Sequence, residues 1–407
     1  MATQPIPIYS QKETFYVPRF EVYVSGKELQ ADVAGDILQI TYQDRINEID
    51  SFSMEVNNWD PEQRKFKFVP PREGYEGVFD PGRKIEIRMG YYNNMRRMMR
   101  GLITDLELNF PESGASTLHV NGLNELHKFK TEQHTDSWID GQKTDTDIAK
   151  DICRRPLQKD QTGLGLNIDA HPAPNEKARQ VVYMKSRFDI VFLWELARRN
   201  GYEIYLEDEA DTPTLFFGLS EISSLTPVYQ LEWGKSLISF RSSLSTVEQV
   251  GEVVVRNWDR KSNQPIVGRY TLKELWKDEK KSQDEITSLS KIASAYDQRT
   301  EVVTDEPVHT ATEACERARA ILVEKNQRVI IGSGATIGLP DLRSGCKVEI
   351  IGFSIKSNRN GSLQGASNIF DGEYVVESST HIIGGNGYRT EFSARRTGDV
   401  GSSQDAP

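Results

Sequence analysis

The fold is decided near the C-terminus, by three short stretches that alternate apolar with charged or polar side chains. They are Arg343-Ser-Gly-Cys-Lys-Val-Glu-Ile-Ile-Gly352, Phe370-Asp-Gly-Glu-Tyr-Val-Val-Glu377 and Tyr388-Arg-Thr-Glu-Phe-Ser-Ala-Arg395. In the first stretch, Val348 and Ile350 alternate with charged residues. A period of two is typical of a half-buried antiparallel sheet. The three stretches therefore predict three strands of such a sheet.

The same series of strands occurs earlier in the chain. Four segments match later segments in the same order: Val56-Asn-Asn-Trp-Asp60 with Val255-Arg-Asn-Trp-Asp259, Gly82–Gly90 with Gly345–Gly352, Gly101–Asp105 with Gly372–Val376, and Thr117–Asn121 with Thr390–Ala394. We predict that the chain holds two copies of one small antiparallel barrel. The alternative is that glycine and alternating Val, Ile and Glu are common to any β-sheet.

The bulk composition favours a folded protein of two or three domains. The chain has 407 residues, of which 27% are charged and 37% hydrophobic, and this length exceeds what one hydrophobic core usually serves. Its net charge of -10 disfavours a dedicated nucleic-acid-binding protein, so we expect no nucleic-acid specificity. No apolar run has the length needed to cross a bilayer, and we expect no stable membrane insertion.

Two further features concern the compartment. The first eight residues lack the basic and apolar regions of a signal peptide. Cys153, Cys315 and Cys346 are few, distant and odd in number, so that a disulfide framework is not expected. We therefore expect synthesis in a reducing cytoplasm.

The pattern along the chain predicts an α+β fold that is mainly β. Strand-like segments dominate up to residue 127, helical periodicity follows, and strand-like segments then resume. The predicted organisation is a first β-barrel domain with an N-terminal arm at 1–127, a small α/β module at 128–235, a second β-barrel domain at 236–396 and a disordered tail at 397–407. Within the second barrel we expect a charged surface loop with partial helix at about 262–305 and a helix at about 311–326.

Helix boundaries in the α/β module carry capping signals. Thr144-Asp-Thr-Asp147 and Ser186-Arg-Phe-Asp189 each place a hydroxyl three residues before a carboxylate, as in a capping box. Gly201 stands where a left-handed C-cap is expected, and Pro156 is expected to end the first helix. The segments 202–206 and 214–218 are predicted to form a hairpin.

The sequence offers no recognisable catalytic or metal-binding motif. Its six histidines have no helical metal-binding spacing, and it contains no Cys-x-x-Cys. It also lacks a complete dinucleotide fingerprint, a phosphate-binding loop and a Gly-x-Ser-x-Gly elbow. We therefore predict no enzyme activity, no catalytic residues, no metal and no cofactor. Two alternatives stay open: a cell-wall polysaccharide-processing enzyme that uses paired carboxylates, and a generic β-rich surface-binding module.

Candidate assembly contacts come from one predicted hairpin tip and two tryptophans. The tip, Tyr91–Arg100, is rich in arginine and methionine, which are enriched at contact surfaces. An ordinary solvated tip is the alternative. The candidate contacts are Met95, Arg96, Arg97, Met98, Met99, Arg100, Trp59 and Trp258.

The chain also resembles a known family from about residue 15 to residue 396. The residues that carry the likeness are Phe188–Tyr205, Leu215–Gly218, Val253–Asp259, Gly338–Gly345, Gly372–His381 and Tyr388–Phe392. These stretches resemble the phage late control gene D proteins, the baseplate hub proteins of contractile tails, and the N-terminal hub part of the VgrG spikes of type VI secretion. The likeness implies a structural protein of a phage tail, a tailocin or a related injection system, with no cofactor and no catalysis in its hub part.

The resemblance also implies an assembly. Two tube-like barrels per chain, taken three times around an axis, form a ring of six similar units that joins a sixfold tail tube to a threefold spike. The implied partners are further copies in a homotrimer, the tail tube protein, a spike protein and baseplate wedge proteins. Since the sequence ends at Pro407, we expect the spike to be a separate polypeptide. The expected location after assembly is a virion or an injection particle.

Overall fold

The computed structural model describes most of the chain. The described residues are 17–68, 77–92, 94–139, 141–155, 166–173, 176–208, 212–219, 227–260, 262–278, 286–287, 290–291, 293–304, 308–326, 328–353 and 370–397. Nearly all of the predicted N-terminal arm and C-terminal tail, and the predicted helix end at Pro156, lie outside these residues. Within these ranges no helix combines the length and the apolar character that crossing a bilayer requires.

Strands dominate the described residues, which confirms the mainly β character predicted from the sequence. In chain order the strands are β1 Pro18–Val24, β2 Lys27–Glu28, β3 Ile37–Arg45, β4 Ser51–Asn57, β5 Trp59–Asp60, β6 Lys65–Phe66, β7 Lys84–Tyr91, β8 Asn94–Asn109, β9 Thr117–Asn124, β10 Gln133–Trp138, β11 Asn167–His171, β12 Val182–Phe188, β13 Glu203–Glu207, β14 Thr214–Gly218, β15 Tyr229–Glu232, β16 Leu237–Leu244, β17 Glu252–Asp259, β18 Gln264–Thr271, β19 Thr300–Val303, β20 Ile330–Ile337, β21 Lys347–Ile351, β22 Gly372–Gly384 and β23 Gly387–Arg396. The described helices are α1 Ala31–Gly35, a 3-10 helix at Glu125–Lys130, α2 Asp145–Cys153, α3 Asp189–Asn200, α4 Leu272–Asp278 and α5 Ala311–Asn326.

Thirteen of the described strands form one large sheet. Its path runs β16-β20-β23-β22-β3-β4-β9-β8-β7-β1-β2, and β21 pairs with both β22 and β15. Strand β15, which lies in the range predicted for the α/β module, thus belongs to this sheet through its parallel pairing with β21. In β4, Phe52, Met54 and Val56 are buried and alternate with half-exposed residues. Burying such a side chain contributes about 1.5–3 kcal/mol, and the alternation places all three on the core face.

Two halves of the large sheet follow the same strand path. The first half-sheet runs β3-β4-β9-β8-β7 and the second half-sheet runs β16-β20-β23-β22-β21, so that the strands correspond one to one. Irregularities correspond as well, because the β3/β4 pairing shifts register between Ile37 and Gln39 and the β16/β20 pairing shifts between Leu237 and Ser239. The internal repeat predicted from the sequence is therefore present as a repeated strand path.

Hydrogen bonds before β7 and β21 align the two half-sheets. Gly82 donates its N–H to the carbonyl oxygen of Ile103 at 2.8 Å, and Gly345 donates to that of Val376 at 2.9 Å. Both glycines have positive φ angles, 91° and 85°, a conformation that glycine adopts without steric cost. The predicted match between the two segments that begin at these glycines is confirmed.

The predicted match between Gly101 and Gly372 is wrong by two residues. The β8/β9 pairing shifts register after Ile103 and the β22/β23 pairing shifts after Val376, so these two residues are equivalent. The prediction followed glycine identity, but the two glycines serve different purposes. A Cβ atom on Gly101 would lie 1.9 Å from a backbone oxygen of β9, whereas Gly372 begins β22 with a φ of 138°.

The predicted Asn-Trp-Asp match is also wrong. Strand β17, which contains the second copy, lies in a separate three-stranded sheet, β18-β17-β19. The contacts of the two tryptophans are local: the N–H of Trp59 donates at 3.3 Å to the side chain of Asn57, the residue before the first tripeptide, and the N–H of Trp258 donates at 2.8 Å to the side chain of Asn257, within the second. Such contacts recur in many folds. The fourth match, between β9 and β23, keeps the strand order but is displaced by one residue.

Helices α2 and α3 pack with two small sheets around a hydrophobic core that is separate from those of the two half-sheets. Strand β10 pairs with β12, and β13 and β14 form the predicted hairpin, to which β11 adds in parallel. The capping box at Thr144 and the left-handed C-cap at Gly201 are confirmed. The second predicted capping box is wrong, because α3 begins at Asp189 and has no side-chain cap. Ser186 lies in β12 and donates its N–H to Thr135.

The chain segment between β16 and β20 forms a further hydrophobic core. Strands β17, β18 and β19 form a small sheet against which α5 packs, and the predicted helix at 311–326 is confirmed as α5. The predicted surface loop at 262–305 is wrong for β18 and β19. Strand β18 contains Pro265 and Gly268, which favour a loop by composition, but Gly268 allows α5 to approach closely. A Cβ atom there would lie 2.1 Å from the backbone of Ala314.

Candidate assembly site

The two half-sheets join through one long strand. On one edge, β22 pairs with β21 through residues 372–375 and then with β3 through residues 378–384, while β23 occupies its other edge. We call the pairing of β22 with β3 the internal joint. A strand of the second half-sheet thus continues the first half-sheet, and main-chain hydrogen bonds fix their relative positions.

A buried ion pair crosses the internal joint. Asp44 on β3 is buried, and Arg343, from the segment before β21, donates to its carboxylate and to the hydroxyl of Tyr42. Asp44 also accepts from the backbone N–H of Ser379 on β22 at 3.0 Å. The guanidinium of Arg343 lies 4.7 Å from the ring centroid of Tyr42. A carboxylate of the first half-sheet therefore depends on donors from the second, and a buried charge without its partner is strongly destabilising.

A second carboxyl group lies next to the ion pair. Asp50, in the turn between β3 and β4, accepts from the hydroxyl of Tyr42 at 3.2 Å and from the side chain of Asn124 at 2.7 Å. Burial raises the pKa of Asp50 to about 7, and the charge of Asp44 adds to this effect. A carboxyl group whose pKa is raised toward neutrality therefore lies beside the internal joint.

His381 on β22 completes the buried polar network. Its Nδ1 lies 2.9 Å from the hydroxyl of Tyr388, and its Nε2 lies 3.1 Å from the carbonyl oxygen of Leu342. Because a carbonyl can only accept, Nε2 carries the proton and Nδ1 accepts from Tyr388. Burial lowers the pKa of His381 to about 4. The imidazole is therefore neutral near pH 7 and serves as a hydrogen-bonded core residue.

Asp44, Ser379 and His381 are the residue types of a hydrolase triad without its geometry. In a triad the histidine lies between the nucleophile and the carboxylate. Here Ser379 lies between the other two, with its Oγ 2.9 Å from His381 Nε2 and donating to Asp44. Ser379 and His381 are 1% and 0% exposed, so that a substrate cannot reach them. Nor does any group of three or more His, Cys, Asp or Glu side chains in the described ranges have the placement to hold a metal.

The segment predicted to form a hairpin tip is largely part of strand β8, so the tip prediction is wrong for Met95–Arg100. Met98 and Met99 are buried in the core of the first half-sheet, and Met95 is half-buried. The β7/β8 pairing shifts register at Met98, and this bulge interrupts the alternation so that two successive side chains face the core. Each arginine of the segment forms an ion pair within the chain: Arg96 with Asp341 at 2.8 Å, Arg97 with Glu86 at 3.2 Å, and Arg100 with buried Asp208.

The two candidate tryptophans lie apart. Trp59 on β5 is half-buried and packs edge-to-face on Phe66, with ring centroids 5.3 Å apart. Trp258 on β17 is 52% exposed and lies in a different sheet. The predicted assembly contacts stay predictions, and among the candidate residues Arg96 and Trp258 have exposed side chains that another protein can reach.

The residues of the internal joint were not predicted from the sequence. Ile40, Tyr42 and Asp44 occupy successive inward positions of β3, and a carboxylate at such a position signals a buried partner. The signal is present in the sequence. Its partner, Arg343, comes from a distant segment, so that no spacing rule connects the two.

The chain is similar in sequence to one family and in fold to several tail proteins. The family model described as the Alg8 N-terminal domain (Alg8_N) matches residues 15–383. No curated protein matches the chain. Among solved structures, the chain is similar to the 43 kDa tail protein of prophage MuSo2 from Shewanella oneidensis, with 16% identity, 94% of this chain and 99% of that chain covered, and a TM-score of 0.63.

Two further solved structures support the likeness in fold. A tail protein from Neisseria meningitidis MC58 has 15% identity, with 95% of this chain and 98% of that chain covered and a TM-score of 0.61. The E. coli c3393 protein has 12% identity, with 93% of this chain and 78% of that chain covered and a TM-score of 0.53. That protein is described as a component of the type VI secretion system with structural similarity to the T4 bacteriophage tail proteins gp27 and gp5. At these identities the likeness establishes a shared fold.

Proposed function

The chain belongs to the Alg8 N-terminal domain family, and we propose that it is the structural baseplate hub of a contractile tail or a related injection machine. The observation that carries this proposal is the repeated strand path, in which β22 of the second half-sheet pairs with β3 of the first. Two similar units in one chain suit a component that connects rings of different symmetry. The fold shared with two tail proteins, one of them from a prophage, supports this proposal.

The proposed hub is a homotrimer. Each chain supplies two half-sheets as its two barrel-like units, so that three chains supply six units for a sixfold tail tube and a threefold face for a central spike. The proposed partners are the tail tube protein, the spike and baseplate wedge proteins, in a phage virion, a tailocin or a secretion particle. Arg96 and Trp258 are proposed contacts because both are exposed. We propose no enzymatic role, since the Asp44, Ser379 and His381 group is buried.

Particle-producing cells test this proposal. Removal of the coding sequence should abolish complete tails in electron micrographs, and expression of the chain from a plasmid should restore them. Native mass spectrometry of the purified chain, alone and with its spike, should give three times the 46.2 kDa chain mass. Intact particles without the chain, or a monomer under both conditions, would show that the proposal is wrong.

A further inference from the structure

Each half-sheet has a strand edge without a described partner. Strand β16 has one strand partner, β20, within the residues that the structure describes, and only its first residue, Leu237, forms a further, isolated bridge, to Trp233. Strand β8 pairs with β7 up to Leu102, and on the same edge its residues 104–109 have no described strand partner. Strand β9 occupies the other edge of β8. Such edges present unused backbone donors and acceptors to another strand.

These two edges are the counterparts of the two strands in the internal joint. Strand β8 corresponds to β22, and β16 corresponds to β3. In the internal joint, Ser379 of β22 lies opposite Asp44 of β3. The shared register shifts make Leu106 the equivalent of Ser379 and Leu244 the equivalent of Asp44. The repeat therefore specifies a register for a second joint that one chain cannot form alone.

We propose that β8 of one copy pairs in an antiparallel manner with β16 of a second copy, in the register of the internal joint. This inference rests on the proposed hub and names the surface that closes its ring. The inward-facing pairs of this inter-copy joint are Leu106 with Leu244, Leu108 with Ser242, and Phe110 with Phe240.

The side chains on the two edges complement each other. Two of the three inward pairs of the internal joint are polar, Asp44 with Ser379 and Tyr42 with His381, and the third is Ile40 with Ile383. Their equivalents on the free edges are mostly apolar: half-buried Leu106 and Leu108, and the more exposed Phe110 and Leu244, at 58% and 37%. Apolar contacts suit a joint between copies, because they gain from leaving water without the desolvation cost of a charge.

The outward face of the inter-copy joint also has complementary charge. In the inherited register, Glu107 of β8 lies diagonal to Arg241 of β16, and both side chains are exposed in the single chain. Diagonal cross-strand positions lie within reach of long side chains. Opposite charges at these positions favour the proposed register over one shifted by a residue.

The inter-copy joint connects copies head to tail. Each copy offers one β8 edge and one β16 edge, so that the contact is heterologous and closes into a ring when the rotation permits. In that ring each half-sheet joins the next by the same pairing, alternately within a copy and between copies.

Cysteine cross-linking tests the proposed register. The variant with both Leu106→Cys and Leu244→Cys should form intermolecular disulfides under mild oxidation, up to a closed covalent oligomer on non-reducing gels. A mixture of the two single variants should stop at a cross-linked dimer, because each copy then offers one cysteine edge. The controls are the unmodified chain, which has Cys153, Cys315 and Cys346, and an off-register pair of Leu106→Cys with Ile238→Cys.

A charge substitution gives a second, independent readout. Leu244→Arg places a charge inside the joint and should weaken self-association by roughly 100-fold or more, measured by sedimentation velocity. Val302→Arg is the matched control, because Val302 is an exposed apolar residue on β19 of the small sheet, and it should leave association unchanged.

The outcomes separate the inter-copy joint from the hub proposal. A ring that forms without the Leu106–Leu244 cross-link, or equal cross-linking of the off-register pair, overturns the joint and leaves the hub proposal intact. Cross-linking of Leu106→Cys alone would indicate a twofold contact and would also overturn it. Complete tails in cells that lack the chain would overturn the hub proposal, whatever the cross-linking result.

Discussion

The first and second half-sheets share a strand path but fill their cores in different ways. In the first, the ring of Phe52 on β4 packs against Gly122 on β9, and in the second the ring of Phe240 on β16 packs against Gly332 on β20. The position equivalent to Phe52 in the second half-sheet is Gly332. The aromatic ring has thus moved to the neighbouring strand, with a glycine facing it in each case. The two half-sheets therefore share backbone path and register, but the strand that carries the aromatic ring in the first half-sheet carries the glycine in the second.

The half-sheets also differ at their joining strands. The internal joint holds a buried network that includes Asp44, Arg343 and His381, whereas the equivalent free edges hold leucines, phenylalanines and one serine, Ser242. A polar network is stable only when every member has its partner. Both strands of the internal joint belong to the same chain, so every partner of the polar network is always present. A buried polar network is therefore stable at the internal joint.

Arg343→Met should have the largest effect, because it leaves the buried carboxylate of Asp44 without its cation. We expect the free energy of unfolding to fall by about 3–5 kcal/mol, measured by chemical denaturation. The equivalent residue in the first half-sheet is Asp80, since Arg83 and Cys346 make matching turn hydrogen bonds to Asp80 and Arg343. Asp80→Asn should cost less than about 1 kcal/mol. Equal losses would mean that the two positions do not differ as described.

The pH dependence of stability should distinguish Asp50 in the first half-sheet from His381 in the second. The pKa of Asp50 is raised from 3.8 to about 7. Between these values the folded protein keeps a proton that the unfolded chain has lost, so that stability falls as pH rises. The pKa of His381 is lowered from 6.5 to about 4. Between these values the unfolded chain binds a proton that the folded protein does not, so that stability rises with pH. Each slope is about 1.4 kcal/mol per pH unit.

The two contributions oppose each other between about pH 4 and pH 6.5. Relative to the unmodified chain, Asp50→Asn should therefore become more stable with rising pH in this window, and His381→Gln less stable. Urea denaturation at half-unit pH steps measures both differences, and parallel curves for the two variants would contradict the assignment. Glu28, which is exposed on β2, gives a control variant, Glu28→Gln, that should follow the unmodified chain.

Alanine at Gly332 and at Gly122 should be destabilising, and shortening the facing aromatic side chain should restore stability at Gly332 but not at Gly122. Gly332→Ala places a Cβ atom 2.4 Å from the ring of Phe240 and should cost about 1–3 kcal/mol. Adding Phe240→Leu should recover part of that loss, because the nearby atoms all belong to this ring. Gly122→Ala should resist rescue by Phe52→Leu, because its Cβ also meets a backbone oxygen at 2.2 Å. Thermal unfolding of the single and double variants measures the difference, and rescue of both glycines would contradict it.

Local sequence signals predicted much of this fold. Alternation of apolar and polar residues identified the strands of both half-sheets, and the hydroxyl and carboxylate around Thr144 identified the start of α2. The same signal failed at Ser186, because pairing of β12 with β10 determines the backbone there. Strand β18 was not predicted because Pro265 and Gly268 are uncommon inside strands. The structure explains Gly268, since α5 lies too close to leave room for a side chain there.

The internal joint could not be predicted because its contacts are remote in sequence. Asp44 and Arg343 are separated by 299 positions, and neither residue has a pattern of its own that indicates the other. The repeat was detectable, but its register was not fully so, since identical glycines at Gly101 and Gly372 occupy different places in the two half-sheets. Register became clear only from the bulges, which leave no mark in residue identity.

The smallest predicted difference concerns the glycines before β7 and β21. Both have positive φ angles, so that alanine should cost about 1 kcal/mol at either position. At Gly82 a Cβ atom meets nothing within 4 Å, whereas at Gly345 it lies 2.9 Å from the ring of Tyr205. That ring is stacked on Phe216 at 4.5 Å and cannot withdraw freely. Gly345→Ala should therefore lose roughly 1 kcal/mol more than Gly82→Ala in chemical denaturation.

A control variant separates backbone strain from crowding at these two glycines. Asparagine tolerates the left-handed conformation better than alanine does, so Gly82→Asn should be milder than Gly82→Ala. Gly345→Asn should bring no such relief, because a larger side chain meets the same ring of Tyr205. If asparagine relieves both positions equally, contact with the α/β module does not restrict the second half-sheet here. Gly82 and Gly345 would then be under the same constraint, and the two half-sheets would be more alike at this position than the contact with Tyr205 indicates.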